Sequence, residues 1–324
     1  MPAARSVLVT RRLPARVEER LVRDFRAVLN ATDEPPTEGE LREAVATHDV
    51  ILCTLTDRLT RATLSAGAGR LRLLANFGAG TNHIDLEAAQ ELGIMVTNTP
   101  GVLTDDTADL TMLLILAAAR RAREGVDELR SGTWSGWRPT HLLGTRVTGA
   151  TLGIVGFGRI GQAVARRASA GFGMRVLYQS RRRVHVDVEE LTGATFVPQL
   201  DALLGASDVV SLHCPATAAT HHLIGDAQLA QMRAGALLVN TSRGDVIDEE
   251  ALLRALERGV IAGAGLDVFE DEPRVRERLR ANPNVFALPH LGSATLASRE
   301  AMGWCAIDNI AAYRREDSLP NRVV

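Results

Sequence analysis

The sequence predicts an α/β protein made of two doubly wound parallel sheets. Three observations carry this. Short apolar runs of strand length alternate with amphipathic stretches through roughly the first hundred residues. The alternation restarts near residue 150. The second series opens with Thr151–Ser180, which joins an apolar run, a glycine-rich turn, a helical pattern and a second apolar run in one piece.

In the first series the strand candidates are Ser6–Thr10, Val50–Leu55, Leu71–Asn76 and Ile94–Thr97. The helical stretches between them are Pro14–Leu29, Glu38–Thr47 and Asp85–Leu92. A flavodoxin-like sheet with helices on both faces is expected. In the second series the strand candidates are Leu152–Val155, Arg175–Tyr178, Val209–His213, Ala236–Asn240, Gly263–Val268 and Val285–Leu288. Six strands with intervening helices match a doubly wound, Rossmann-type domain. Two long helical segments flank this set. Leu103–Glu124 opens with Thr104-Asp105-Asp106, which can cap a helix, and Thr295–Tyr313 is the other. Both read as crossing helices, the second returning the chain to the first domain. The expected domains are 1–101 with 291–324, and 102–290, with a cleft between them.

Composition sets the bounds. The chain has 324 residues, 46% of them hydrophobic, which suits a globular protein of two domains. A net charge of −2 advertises neither nucleic acid nor an anionic membrane. All 37 basic residues are arginine, so a Schiff-base or lysine-nucleophile mechanism is excluded. Cys53, Cys214 and Cys305 are far apart with no CxxC and no metal-like cluster, so reduced thiols and no metal are expected. The N-terminus MPAARSVLVTRRLPARVEER lacks a signal-peptide pattern. The longest apolar run, Met112–Ala119, falls far short of the roughly 20 residues that span a bilayer. A cytoplasmic protein without membrane or nucleic-acid partners is expected.

Gly156-Phe157-Gly158-Arg159-Ile160-Gly161 follows a strand and opens a helix, the setting that makes GxGxxG informative. Gly156 allows the tight turn, Gly158 has no side chain to block a pyrophosphate, and Gly161 lets helix and strand pack closely. Backbone N–H groups at Arg159 and Ile160 then face the phosphates. An NAD site carries an acidic residue about 20 residues on, at the end of the second strand. Here that place holds Ser180, followed by Arg181, Arg182 and Arg183. A serine with arginines suits a 2′-phosphate, so NADP(H) is the expected cofactor, with NAD(H) second. The plainer alternative is a solvated basic loop.

Blocks at later strand ends carry a resemblance. They are LVNTSRGDVID, AGAGLDVFEDEP and PHLGSAT, and upstream NFGAGTNHID, NTPGVLTDDTADL, SGTWSGWRPT and LGIVGFGRIGQAVARR. With these seven blocks in order over nearly its whole length, the chain resembles the D-isomer-specific 2-hydroxyacid dehydrogenases. Within them it is most similar to glyoxylate/hydroxypyruvate reductases. The resemblance implies NAD(P)H-dependent reduction of a small 2-keto acid to the D-2-hydroxy acid. It makes 1–101 with 291–324 the substrate-binding domain and 102–290 the dinucleotide-binding one. Alternatives on the same scaffold are a phosphite or other D-2-hydroxyacid dehydrogenase, or a non-catalytic dinucleotide-sensing, co-repressor-like protein.

The resemblance also implies roles. Arg243 matches the arginine that binds and polarises the substrate. His290 matches the proton donor, and Glu272, immediately before Pro273, the carboxylate paired with it, with Glu270 nearby. A carboxylate beside an imidazole favours the charged form of the ring. Ala79 and Gly80 match amides that bind the substrate carboxylate from the face opposite Arg243. Leu55 matches an apolar cleft position, and His83 sits beside the substrate loop. Thr107, Cys214, Pro215, Thr220, Thr241, Asp267 and Gly292 match cofactor contacts, Asp267 as partner of the nicotinamide carboxamide. His48, His141, His185, His221 and His222 read as structural or solvated.

Trp134 and Trp137 stand three apart in a chain with only 4% aromatics. They either pack locally or, as the resemblance implies, cross a homodimer interface that includes Leu103–Arg146, with Trp137 reaching the partner's active site and limiting substrate size. One stretch departs from the family pattern: RVRERLRANPNV follows Pro273 where relatives usually carry a proline-containing loop.

Overall fold

A computed structural model describes residues 6–324. The first five residues, on which part of the N-terminal reading rests, lie outside the described residues. The chain divides into two compact units, residues 1–103 with 293–324, and residues 104–292.

In the first unit, β1 (Val7–Val9), β2 (Val50–Thr54), β3 (Leu73–Phe77) and β4 (Met95–Thr97) form a parallel sheet in that order. β2 and β3 are buried along their whole length, as strands covered on both faces must be. One face packs Val17, Leu21 and Phe25 of helix Ala15–Phe25 with Met302, Ala306, Ile307 and Ile310 of helix Leu296–Arg315. Leu41, Val45, Leu64 and Ala88, from three shorter helices, cover the other. Helix Glu38–Thr47 starts at a capping box: Thr37 accepts from the Glu40 amide and the Glu40 carboxylate accepts from the Thr37 amide. Two small elements go beyond the sequence reading. Val28 pairs beside β1, with Val9 N to Val28 O and Val28 N to Val7 O both 2.9 Å, and Arg61–Ser65 is a short helix. Counting the Val28 bridge, the order becomes the flavodoxin-like 2-1-3-4-5.

In the second unit, β5 (Thr151–Val155), β6 (Arg175–Gln179), β7 (Ala194–Phe196), β8 (Val209–Leu212), β9 (Leu237–Asn240), β10 (Gly263–Leu266) and β11 (Val285–Ala287) form one parallel sheet. The order is β11-β10-β9-β8-β5-β6-β7, reversing between β5 and β8. Alternate residues feed the two faces: Leu152 and Ile154 join one apolar cluster and Val155 the other. Where six strands are expected from sequence there are seven; the extra one, β7, is only three residues long at the sheet edge.

The long helix expected over Leu103–Glu124 is two, Thr104–Ala119 and Ala122–Ser131. Thr145 N donates to Ala119 O at 2.8 Å, taking the carbonyl that Arg123 N would claim in a continuous helix. A Cβ on Gly144 would stand 2.2 Å from the same oxygen, so a returning loop seals the helix end. Arg121, at φ 51°, turns the chain into the next helix.

Among the described residues no helix is long and apolar enough to cross a membrane. Nor does any cluster of three or more His, Cys, Asp or Glu side chains there suit a metal ion.

Candidate active site

The switch between β5 and β8 is where doubly wound sheets take ligands, at the carboxyl ends of the strands. The glycine turn sits there. Gly156 has φ +91°, and a Cβ on it would stand 2.5 Å from Cys214 N, so this glycine serves both the turn and its contact with the chain after β8. A Cβ on Gly161 would lie 2.5 Å from Gly156 O, which is the close helix packing expected. Gly158 caps helix Arg159–Phe172, and a Cβ there would meet nothing within 4 Å. The space above it is open, and the Arg159 and Ile160 amides begin the helix beside it.

At the end of β6 the three arginines separate. Arg183 is committed to an acid: its guanidinium donates to both oxygens of Glu189, at 2.8 and 2.7 Å. Tyr178 Oη donates to the same carboxylate at 2.6 Å and accepts the Val184 amide at 3.1 Å. The Arg183 and Tyr178 bonds hold Glu189 down at about 2. Burial pushes the Tyr178 hydroxyl up to about 12, and the Glu189 charge adds to it. Arg183 is therefore taken up by Glu189, which leaves Ser180, Arg181 and Arg182 as the candidates for a 2′-phosphate. The Arg181 and Arg182 guanidinium groups are exposed and have no acidic partner among the described residues. Ser180 Oγ donates to Arg182 O at 2.6 Å, shaping the same turn.

The second group stands at the ends of β9 and β10. Asn240, unremarked in the sequence, organises it: Nδ2 donates to Arg243 O at 2.8 Å, and Oδ1 accepts from Ser242 N and Oγ at 2.9 and 2.7 Å. Arg243 is half-buried, with Nη1 donating to Ser242 O at 2.6 Å. Burial lowers its pKa, while the charges of Glu272 and Asp245 act in the opposite sense. The next residue is Gly244 for a steric reason: a Cβ would fall 1.8 Å from the Phe269 carbonyl carbon. Only glycine lets the Arg243 turn lie against the 269–272 loop.

Glu272 accepts from Phe269 N at 3.0 Å through Oε1, and Oε2 lies 2.8 Å from His290 Nδ1. Burial raises the Glu272 pKa, but the hydrogen bond and charge of His290, the Phe269 amide and Arg243 outweigh it, leaving a net value below the usual carboxylate range. An ionised carboxylate accepts, so Nδ1 carries the hydrogen. Nε2 has no protein partner among the described residues. Glu270 is separated from this pair: it binds His222 and, at 3.3 Å, Arg276. Arg276, in the divergent stretch after Pro273, also reaches Glu249 and Glu250, each at 3.0 Å.

His290 adopts φ 55°, a left-handed conformation. Its amide donates to Asp267 O at 2.8 Å, and the Asp267 carboxylate accepts the next two amides, Leu291 at 2.7 Å and Gly292 at 2.8 Å. Asp267, read from sequence as a carboxamide partner, thus holds the histidine turn, with a second lone pair left on each oxygen. Burial pushes its pKa up to about 6 against those amides and the His290 charge. Thr107 Oγ1 donates to Gly292 O at 3.0 Å, and Thr241 Oγ1 lies 3.0 Å from Thr111 Oγ1. Thr220 Oγ1 donates to Pro215 O at 2.6 Å and accepts Thr217 N at 2.8 Å, closing the loop after Cys214. Burial raises the Cys214 thiol to about 11. Leu55, Ala79 and Gly80 belong to the first unit, Leu55 exposed and the other two half-buried. Trp137 is 83% exposed, so local packing does not cover it.

Residues 112–292 match the family model described as D-isomer specific 2-hydroxyacid dehydrogenase, NAD binding domain. A glyoxylate reductase from Thermococcus litoralis is 44% identical over 98% of this chain and 96% of its own. The crystal structure of a glyoxylate reductase from Paecilomyes thermophila has a TM-score of 0.88 at 35% identity, covering 100% of this chain and 99% of that one. An NADPH-dependent glyoxylate/hydroxypyruvate reductase from Sinorhizobium meliloti, solved with NADP and malonate, gives 0.87 at 35% identity over 99% and 97% of the two chains. With similarity running through both sheets and across the strand ends described above, the chain belongs to the D-isomer-specific 2-hydroxyacid dehydrogenase family.

Proposed function

We propose that the protein reduces small 2-keto acids, glyoxylate and hydroxypyruvate first among them, to D-2-hydroxy acids, with NADPH preferred over NADH. The observation that carries this reading is the His290–Glu272 pair at 2.8 Å beside Arg243. Glu272 holds the hydrogen on Nδ1 and fixes the ring, so Nε2 faces the substrate and donates its proton to the carbonyl oxygen. Arg243 binds the keto acid and polarises its carbonyl with a planar fork of donors. Leu55, Ala79 and Gly80 complete the substrate contacts.

The residues present fit a dinucleotide. The open space over Gly158 accepts a pyrophosphate, and the Arg159 and Ile160 amides at the helix start would hold it. Arg181 and Arg182, with Ser180, would hold a 2′-phosphate, and no carboxylate ends β6 to repel it. Thr107, Cys214, Pro215, Thr220, Thr241, Asp267 and Gly292 would border the rest of the cofactor. When bound, the nicotinamide supplies the hydride. The exposure of Trp137 supports a homodimer in which the 103–146 segment is covered by a second copy. A fully active monomer by light scattering would contradict that assembly.

The deciding experiment is a panel of 2-keto acids assayed with NADPH and NADH by loss of absorbance. The highest kcat/KM is expected for glyoxylate or hydroxypyruvate with NADPH. Equal values for the two cofactors would remove the NADPH preference. Cofactor binding without turnover on any keto acid would leave a dinucleotide sensor instead.

A further inference from the structure

Residues 78–81 form the turn after β3, and three of its carbonyls are tied from behind. Gly78 O accepts from Asn76 Nδ2 at 3.1 Å and from Thr99 N at 3.0 Å. Ala79 O accepts from Asn98 Nδ2 at 2.8 Å. Gly80 O accepts from Asn76 Nδ2 at 2.9 Å. A trans peptide is planar, so the C=O of one residue and the N–H of the next point in opposite directions. Tying the carbonyls of 78, 79 and 80 therefore turns the N–H groups of Ala79, Gly80 and Thr81 the other way. None of these three amides donates to an acceptor among the described residues. Successive unpaired amides on one side of a turn make a concave site for an anion.

Without the ties this arrangement would be loose. Two of the turn residues are glycines, which lets their peptides rotate with little steric resistance. Asn76 is 1% exposed, and its amide serves two carbonyls at once. His83 Nε2 lies 3.1 Å from Asn76 Oδ1. An amide oxygen only accepts, so Nε2 carries the hydrogen, and this bond keeps the Asn76 amide from flipping.

We infer that Asn76 and Asn98 are positioning residues for the substrate carboxylate, with His83 locking Asn76 in register. They act through the backbone amides of residues 79–81 and do not touch the substrate. The inference rests on the reading that Ala79 and Gly80 bind that carboxylate.

Asn98→Ala and the isosteric Asn98→Asp both remove the donor to Ala79 O, and His83→Ala frees the Asn76 amide. Each is expected to raise KM for glyoxylate roughly fivefold to tenfold, the loss of about one hydrogen bond. KM for NADPH and kcat should stay within about twofold of wild type. In the NADPH-bound protein, the unreactive carboxylate oxamate should shift the amide NMR signals of Ala79, Gly80 and Thr81, with weaker affinity in the variants. Unchanged KM for glyoxylate in both Asn98 variants, with those amides still shifting in the wild type, overturns the positioning role alone. Amides that oxamate leaves unmoved in the wild type overturn the carboxylate reading as well.

Discussion

Nδ1 of His290 lies 2.8 Å from Oε2 of Glu272, and the two side chains are 26% and 27% exposed. Among the described residues Nε2 has no hydrogen-bond partner, which the proposed proton donation requires. His290→Gln should lower kcat by roughly 10²–10⁴-fold with little change in NADPH binding. Glu272→Gln should lower it too, by a smaller factor, because the ring remains but its tautomer is no longer held. Because the Glu272 pKa is depressed below its ordinary 4.5, its carboxylate stays ionised as pH falls past that value, and its hold on Nδ1 is lost only through the lower folded value. Near-normal turnover in His290→Gln would remove it as the acid.

Of the three arginines after Ser180, Arg183 is spent on Glu189, and Arg181 and Arg182 remain available. Replacing both Arg181 and Arg182 with Ala should raise KM for NADPH by about 10–100-fold and leave KM for NADH nearly unchanged, as expected for charge-assisted bonds to a phosphate. Arg183→Ala should instead lower Tm and shift both cofactors alike. If Arg183→Ala selectively weakens NADPH, the division of labour is wrong.

The glycines separate in the same way. Gly244→Ala forces a methyl group to within 1.8 Å of the Phe269 carbonyl carbon, so loss of soluble protein or a drop of several degrees in Tm is expected. Gly158→Ala meets nothing within 4 Å, so Tm of the free protein should hold while NADPH binding weakens. Fluorescence titration and thermal melts on the two variants check both halves.

Acid stability should report Glu189. Arg183 and Tyr178 hold its pKa at about 2, below its ordinary 4.5. A carboxyl depressed in the folded state adds stability that is complete above its unfolded pKa and disappears as pH falls through the folded one. Glu189→Gln should therefore lower Tm at neutral pH, with the gap from wild type narrowing from about pH 5 downward. A gap that stays constant across that range would contradict the assignment.

Much of the molecule was legible in sequence because its signals are local. Apolar spacing marked ten of the strands, and glycine spacing with its strand and helix context marked the turn at 156–161. Ordered blocks of the family pointed to Arg243, Glu272 and His290. The misses have two causes, an atom far along the chain and an element too short to carry a pattern. The loop at 144–145 takes the Ala119 carbonyl and breaks a helix that its own sequence favours. Strand β7 has only three residues to carry a pattern.

By itself, then, the sequence determined the α/β class and the glycine turn at 156–161, since periodicity and glycine content are written locally, while its family blocks named Arg243, Glu272 and His290 as candidates. Only the tertiary structure decided which arginine is committed to Glu189 and that Asp267 grips the turn of His290. It also decided that Asn76 and Asn98 turn three amides outward. Each of those outcomes depends on a hydrogen bond whose direction is set by packing between segments, and no spacing rule records that direction.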